Sequence, residues 1–199
     1  MRVDLIRHGA TAGNALRRYV GGATDEPLSP EGAEALRRLP DDGEVARVYA
    51  SPLRRAVQTA RILFPEARIV PVRDLREMEF GAFEGKNADE LSDDAAYRVW
   101  VEGGCEGRCP GGESRSEFAG RCVRAFMGCL AKEARFGAER AVFAVHGGTI
   151  MALLSELADP PIAYFDASVA PGGRWTCEWD GGRLVDARRC FAEDGSCSR

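Results

Sequence analysis

The sequence lacks any long run of apolar residues, since no stretch approaches the ~18 residues that a membrane-spanning helix needs. It also lacks an excess of basic residues, because the net charge is −4, so a basic surface for general nucleic-acid binding is not expected. Hydrophobic residues make up 45% and charged residues 29% of the 199 residues, which is typical of a globular chain. These features predict a single domain over residues 1–199, with no membrane partner and no nucleic-acid partner.

A secretion signal is not expected either. Met1 leads directly into an expected strand that carries Asp4 and Arg7, which does not fit the apolar core of a signal peptide. The cysteines number seven, and an odd number argues against a complete disulfide framework. We therefore expect reduced thiols and a cytoplasmic location.

Histidine is scarce, since His8 and His146 are the only two. This scarcity limits both the metal sites and the catalytic histidines that the chain could form. Cys105 and Cys109 have a spacing that suits a metal site, but too few ligands remain to complete it. We expect no metal and no other cofactor, with a zinc or redox protein that uses its cysteines as an alternative. Each histidine instead follows an apolar run typical of a buried strand and precedes a glycine. This pattern favours a ligand site at the carboxyl edge of an α/β sheet.

The hydrophobic periodicity predicts alternating strands and helices. The unbroken apolar run at 141–145 is typical of a central parallel strand. Ser51 is expected to cap the helix that follows it, with Pro52 in the first helical position. The predicted strands are 3–6, 45–50, 67–72 and 141–145, followed by an antiparallel pair at 174–179 and 183–187. The predicted helices follow Ser29, Ser51 and Ser114, or span 87–102 and 150–154, and a loop at 103–112 is of the kind that covers a pocket.

Several motifs together resemble those of the histidine phosphatase superfamily, which includes the cofactor-dependent phosphoglycerate mutases. Residues 7–14 read Arg-His-Gly-x-Thr-x-x-Asn, and residues 146–148 read His-Gly-Gly. The loop at 22–32, the segment at 51–60 and the run at 75–85 also follow the superfamily patterns. The resemblance implies an α/β fold of the phosphoglycerate mutase type, a three-layer α/β/α sandwich with a mostly parallel central sheet.

The resemblance also implies a role for each matching residue. His8 would be the nucleophile and would carry a transient phosphoryl group. The spacing of the motif selects Arg55 as a phosphate ligand, whereas charge alone would not separate it from Arg54. The residues that would surround the phosphate or the substrate are Arg7, Arg55, His146, Asn14, Thr11, Gly21, Gly22 and Gly147.

Glu77 takes the position of the superfamily's proton donor. An acid must hold its proton at the working pH, so we expect desolvation and the nearby phosphate charge to raise its pKa. The alternative interpretation is an exposed loop with three carboxylates, Glu77, Glu79 and Glu84.

These roles imply a metal-independent phosphomonoesterase that acts on a small phosphorylated metabolite. The segment between Glu84 and the long helix is short and acidic, which favours hydrolysis over mutase activity. Tyr97 and Trp100 give a loose likeness to the α-ribazole phosphatases of cobalamin assembly, with α-ribazole 5′-phosphate as substrate. Met151 replaces an arginine common in the superfamily, which would change the pocket wall. The alternatives are phosphoglycerate mutase-type transfer and a non-catalytic protein that binds phosphorylated ligands, and a homodimer is a further expectation.

Overall fold

The computed structural model describes residues 1–40 and 43–190, together with the backbone of residues 197 and 198. One sheet runs through it in the order β3-β2-β4-β1-β6-β7-β5, with β8 paired to β7. The strands are β1 Arg2–Arg7, β2 Arg47–Ala50, β3 Arg68–Pro71, β4 Arg140–Val145, β5 Ala158–Asp159, β6 Arg174–Trp179, β7 Leu184–Cys190 and β8 Cys197–Ser198. The helices are α1 Ala12–Ala15, α2 Pro30–Arg37, α3 Arg54–Leu63, α4 Ala95–Glu102, α5 Arg115–Arg135 and α6 Gly147–Leu157. Three 3₁₀ turns lie at Arg73–Leu75, Gly81–Phe83 and Tyr164–Ala167.

The strands β3, β2, β4 and β1 are parallel, and β4 lies at the centre between β2 and β1. Arg7 at the end of β1 is level with Val145 at the end of β4. Because the two strands end at the same level, the histidine that follows each one emerges at the same sheet edge. The antiparallel strands β6 and β7 extend the sheet beyond β1. The predicted parallel core and its antiparallel extension are both confirmed.

Helices cover both faces of the sheet, as the alternation of side chains along β4 requires. Phe143 packs on Phe126 of α5, with ring centroids 4.7 Å apart. Its neighbours Val142 and Ala144 point the other way and join a second buried cluster with Ala60 of α3. The sheet is therefore the middle layer of the α/β/α sandwich that the resemblance implied.

The helix predicted over 87–102 is shorter than expected and begins only at Ala95. Asn87 and Glu90 close a turn before it, since the Glu90 N–H donates to Asn87 Oδ1 over 2.9 Å. Asp94 then caps α4 by accepting the Tyr97 N–H. Asn and Asp side chains compete with helical hydrogen bonds in this way, and that competition shortens the helix.

The described cysteines are not all in the same oxidation state. Cys190 is disulfide-bonded, whereas five other cysteines, at 105, 109, 122, 129 and 177, are free. The expectation of uniformly reduced thiols is therefore wrong at Cys190. Within the described residues, no helix combines the length and the apolar character needed to cross a membrane.

Candidate active site

A cavity of about 290 Å³ opens at the carboxyl edge of the parallel strands. Arg7 and His8 reach it from the end of β1, and Gly147 and Gly148 reach it from the start of α6. Glu77 enters from the loop that follows β3. The topology thus brings together residues that lie up to 162 positions apart in the sequence, from Arg7 to Val169.

His8 is held in one orientation and kept neutral. Its Nδ1 lies 2.7 Å from the Gly9 carbonyl oxygen, so Nδ1 carries the proton and donates it. The lone pair is then on Nε2, as a nucleophile needs. Burial, together with the charges of Arg55 and Arg7, lowers the pKa of His8 to about 3. His8 is therefore an uncharged base at neutral pH.

His146 lies beside His8, with ring centroids 5.2 Å apart. Its Nε2 is 2.7 Å from Ser51 Oγ, and its buried Nδ1 has no hydrogen-bond partner among the described residues. Burial and the Arg55 charge lower the pKa of His146 well below its usual range. The prediction that Ser51 caps a helix is wrong, because α3 begins at Arg54 after an uncapped Leu53.

The two predicted arginines occupy different positions. Arg7 lines the cavity and donates from Nη1 to the Val169 carbonyl over 2.6 Å. Arg55 is fully buried and does not line the cavity, because its guanidinium donates to the carbonyls of Thr24 (2.7 Å) and Gly21 (3.0 Å). Its Nε has no hydrogen-bond partner within the described part of the chain. Arg54 is exposed, so burial separates the two arginines as the motif spacing did.

Glu77 is buried with its carboxyl group fixed at both oxygens. Oε1 accepts the Met78 N–H over 3.0 Å, and Oε2 accepts the Gly148 N–H over 2.9 Å. Burial raises the pKa of Glu77, although these two hydrogen bonds and the charges of Arg55 and Arg7 oppose the rise. The desolvation that we expected is thus present, and the exposed-loop interpretation is wrong for Glu77.

The glycine after Gly147 is one that the sequence analysis missed. A Cβ built on Gly148 would overlap Oε1 of Glu77, so only glycine leaves room for the carboxyl group. Gly147 lines the cavity, and a Cβ there would meet Arg7 Nε at 3.3 Å. Its position as the second glycine of a His-Gly-Gly motif at the start of a helix was a sequence signal that could have identified Gly148 as a site residue.

The remaining predicted residues divide into lining and supporting groups. Asn14 lines the cavity, and because its Oδ1 accepts the Thr11 N–H, its amide NH₂ is left to donate. Thr11 is buried as the cap of α1. Gly21 and Gly22 do not line the cavity. They pack against the loop that carries Glu77, where a Cβ on Gly22 would lie 2.7 Å from the Glu77 carbonyl oxygen.

An aromatic wall forms the outer part of the cavity, and the sequence analysis identified only part of it. Tyr19, Phe80, Trp100, Tyr164 and Phe165 make up this wall. Of these residues, only Trp100 was singled out from the sequence, through the likeness to the α-ribazole phosphatases. The loop at 103–112, which was expected to cover a pocket, contributes Cys105 to the lining. The other aromatic residues come from separate loops without a shared motif, so no local signal grouped them.

Within the described ranges, no group of three or more His, Cys, Asp or Glu residues could hold a metal ion. The site offers a neutral histidine with a free Nε2, a cationic arginine beside it and a carboxyl group with a raised pKa. These are the parts that phosphoryl transfer requires: a nucleophile, a positive charge for the phosphoryl oxygens and a proton for the leaving group. Fold and site together define a phosphoglycerate mutase-like phosphoryl-transfer protein.

Comparison with known proteins gives the family. Residues 3–186 match the histidine phosphatase superfamily (branch 1). The chain belongs to this superfamily, whose enzymes are mutases or phosphatases.

The chain is similar both to proteins named as mutases and to a protein named as a phosphatase. It is 30% identical over 168 residues to a probable phosphoglycerate mutase, GpmB, of Proteus mirabilis, which covers 81% of this chain and 76% of that protein. A GpmB of an Enterobacter strain is 35% identical, but the match spans 65% of this chain and 63% of that protein. The crystal structure of the alpha-ribazole phosphatase from Shigella flexneri superposes with a TM-score of 0.77 at 26% identity, covering 92% and 93% of the two chains. TTHB049 from Thermus thermophilus has a TM-score of 0.72 at 32% identity, with 94% and 98% covered.

Proposed function

We propose that the protein hydrolyses small phosphomonoesters through a phosphohistidine formed on Nε2 of His8. The observation that carries this proposal is the state of His8, whose Nδ1 is tied to the Gly9 carbonyl while its low pKa keeps Nε2 unprotonated. Facing the same cavity, Glu77 has the opposite property, a raised pKa. A pair of groups with pKa values displaced in opposite directions supports a nucleophile and an acid.

The reaction then has two steps. In the first, Nε2 of His8 attacks phosphorus, the bond to the leaving oxygen breaks, and Glu77 gives its proton to that oxygen. In the second, Glu77 takes a proton from a water molecule that attacks the phosphohistidine, which releases phosphate and restores His8. Arg7 and the Asn14 amide stabilise the phosphoryl oxygens, and the buried charge of Arg55 adds to the positive potential.

The charges in the cavity favour hydrolysis over mutase activity. A phosphoglycerate mutase must also bind the carboxylate of its substrate. Arg18 and Arg7 are the cations among the described residues that line the cavity. Arg18 is engaged by both carboxylate oxygens of Glu90, at 2.9 and 2.7 Å, and also by the Gly85 carbonyl. With Arg7 assigned to the phosphoryl group and Arg18 paired with Glu90, none of the described lining residues is left as an unpaired cation for a substrate carboxylate.

The aromatic wall supports a leaving alcohol that carries a flat aromatic ring. Tyr19, Trp100 and Phe80 pack edge to face or tilted against one another, at centroid distances of 5.1 to 6.3 Å, and line the cavity together with Tyr164 and Phe165. Such a wall binds an aromatic base better than a three-carbon acid. We therefore propose α-ribazole 5′-phosphate, and with it a role in cobalamin synthesis, in agreement with the structural likeness to the Shigella phosphatase.

Mutase activity on phosphoglycerate is the second candidate, because the relatives from Proteus and Enterobacter are named probable phosphoglycerate mutases. The two candidates differ in substrate and in product. Phosphate release is measured with α-ribazole 5′-phosphate, 3-phosphoglycerate and 4-nitrophenyl phosphate, in the presence of EDTA. The proposal predicts release that is fastest with the aromatic substrates and absent in His8→Ala. Release that persists in His8→Ala, or isomerisation of 3-phosphoglycerate without hydrolysis, would contradict it.

A further inference from the structure

Arg121 does not line the cavity, and every N–H of its guanidinium donates a hydrogen bond. Arg121 lies on the second turn of α5 and binds Glu113 with two parallel hydrogen bonds, Nε to Oε1 at 2.7 Å and Nη2 to Oε2 at 2.8 Å. Their side chains are only 12% and 18% exposed. A two-point arginine–carboxylate pair of this kind fixes direction as well as charge.

The other three N–H groups of Arg121 hold the loop that carries Glu77. Nη1 donates to the carbonyls of Asp74 and Arg76 at 2.9 and 2.8 Å, and Nη2 donates to the Glu77 carbonyl at 2.8 Å. Arg121 thus contacts the main chain at the proton donor itself and on the side that precedes it.

Glu113 holds the same loop on the side that follows Glu77. Its Oε2 accepts the Glu79 N–H over 2.9 Å, and its own N–H donates to the Glu79 carbonyl over 2.9 Å. The ion pair therefore forms hydrogen bonds with the backbone at residues 74, 76, 77 and 79. These residues lie on both sides of one catalytic side chain.

The Glu77 carboxyl group is held by a different element, through the Gly148 N–H at the start of α6. The main chain of Glu77 is thus tied to α5 and its side chain to α6. If the tie to α5 is loosened, the carboxyl group can shift relative to the leaving oxygen, and a misplacement of 1 Å costs catalysis about 10²-fold.

We propose that the Arg121–Glu113 ion pair positions the proton donor, and that its contribution to activity is specific to leaving groups that need a proton. This inference rests on the proposed role of Glu77. Lysine cannot replace Arg121, because one ammonium with three N–H groups cannot serve five acceptors in a planar fork.

The test uses two substrates with different needs for an acid. The leaving group of 4-nitrophenyl phosphate departs as a stable phenolate, whereas 2-phenylethyl phosphate has a similar shape but must release an alkoxide. The ratio kcat/KM is measured because it reports the steps up to departure of the leaving group. In Arg121→Lys and in Glu113→Gln, we expect kcat/KM to fall about 10- to 100-fold for the alkyl substrate, as for a weakened general acid. The aryl substrate should lose less than about 3-fold, since its departure needs little acid assistance.

Arg124→Lys is the matched control, because Arg124 is exposed on the same helix one turn further along. It should leave both substrates unchanged. Equal losses on both substrates in Arg121→Lys and Glu113→Gln, including losses through a smaller folded fraction, would overturn the inference and leave the pair a purely structural role. No loss on either substrate would overturn it as well.

Glu77→Gln separates this inference from the proposed function. If Glu77→Gln loses the alkyl substrate selectively and the two ion-pair variants do not, only the positioning role fails. If Glu77→Gln shows no selective loss, the proposed proton donor itself fails, and the positioning role fails with it.

Discussion

The titratable ring of His8 is buried, and its burial lowers the stability of the folded protein by an amount that depends on pH. Its pKa in the folded protein is about 3, below the value near 6.5 of an unfolded histidine. Below pH 6.5, His8 is therefore protonated in the unfolded chain but stays unprotonated in the folded chain until the pH approaches 3. For such a group, stability is fully present above the unfolded pKa and is lost as the pH falls towards the folded pKa.

We therefore expect the burial of His8 to lower the free energy of unfolding by about 2 kcal/mol between pH 7 and pH 5. His146 contributes in the same direction, since its pKa is also lowered. Urea unfolding of wild type and of His8→Gln at both pH values measures this effect. Over this interval the variant should lose about 2 kcal/mol less stability than wild type, because it lacks the His8 contribution. Equal losses in the two proteins would show that His8 takes up its proton in the folded state.

At Gly148, the addition of a single Cβ atom would displace the Glu77 carboxyl group. Gly148→Ala places a methyl group on the Glu77 carboxyl oxygen and displaces it, so we expect kcat/KM for alkyl phosphates to fall by about 10²-fold or more. Gly128→Ala is the control, because a Cβ at Gly128 in α5 meets nothing within 4 Å. The control should keep its activity and gain about 0.5–1 kcal/mol of stability from helix propensity. Full alkyl phosphatase activity in Gly148→Ala would contradict the placement of the acid.

At the scale of the element, the 3₁₀ turn Tyr164–Ala167 completes the aromatic wall from a segment with no motif. Phe165 is 55% exposed although it lines the cavity. Its ring packs edge to face on Tyr164, with centroids 5.2 Å apart. An apolar ring that remains this open to solvent contributes little to the core, which leaves it available for a ligand.

Phe165→Ala should therefore raise KM for aromatic phosphomonoesters by about 5- to 10-fold, which corresponds to the loss of one aromatic contact of about 1 kcal/mol. The melting temperature should change little, because the ring is exposed. Phe136→Ala removes another exposed ring, remote from the described cavity lining, and serves as the control. An unchanged KM in Phe165→Ala would remove the support that the wall gives to an aromatic substrate.

The same local sequence pattern has two structural outcomes in this chain. Ser29 and Ser51 both precede proline, yet only Ser29 caps its helix, by accepting the Gly32 N–H. Ser51 instead contacts His146, which lies 95 residues away. Local spacing does not encode a partner at that distance. Buried strands, the Ser29 helix cap and the histidine motifs were predictable because each depends on neighbours within a few residues.

At the scale of the whole molecule, the parallel core makes the site possible, because β1 and β4 end at the same level and deliver both histidines to one edge. The strand assignments predicted this arrangement. Two features behind it were not predictable. Arg55 is buried outside the cavity lining, and Arg121 of α5 donates to the main chain of the loop that carries Glu77. Both depend on how loops pack on helices, which hydrophobic periodicity does not report.

The central claim is that a phosphoryl group resides on His8 during turnover, and trapping it is the most direct test. In Glu77→Gln, 4-nitrophenyl phosphate should still transfer its phosphoryl group, since its leaving group needs no acid, while the second step slows without a base. Mass spectrometry of the rapidly quenched variant should then find one phosphoryl group per chain, located on His8. Continued release of 4-nitrophenolate with no phosphoryl group on His8, or with one on another residue, would contradict the account.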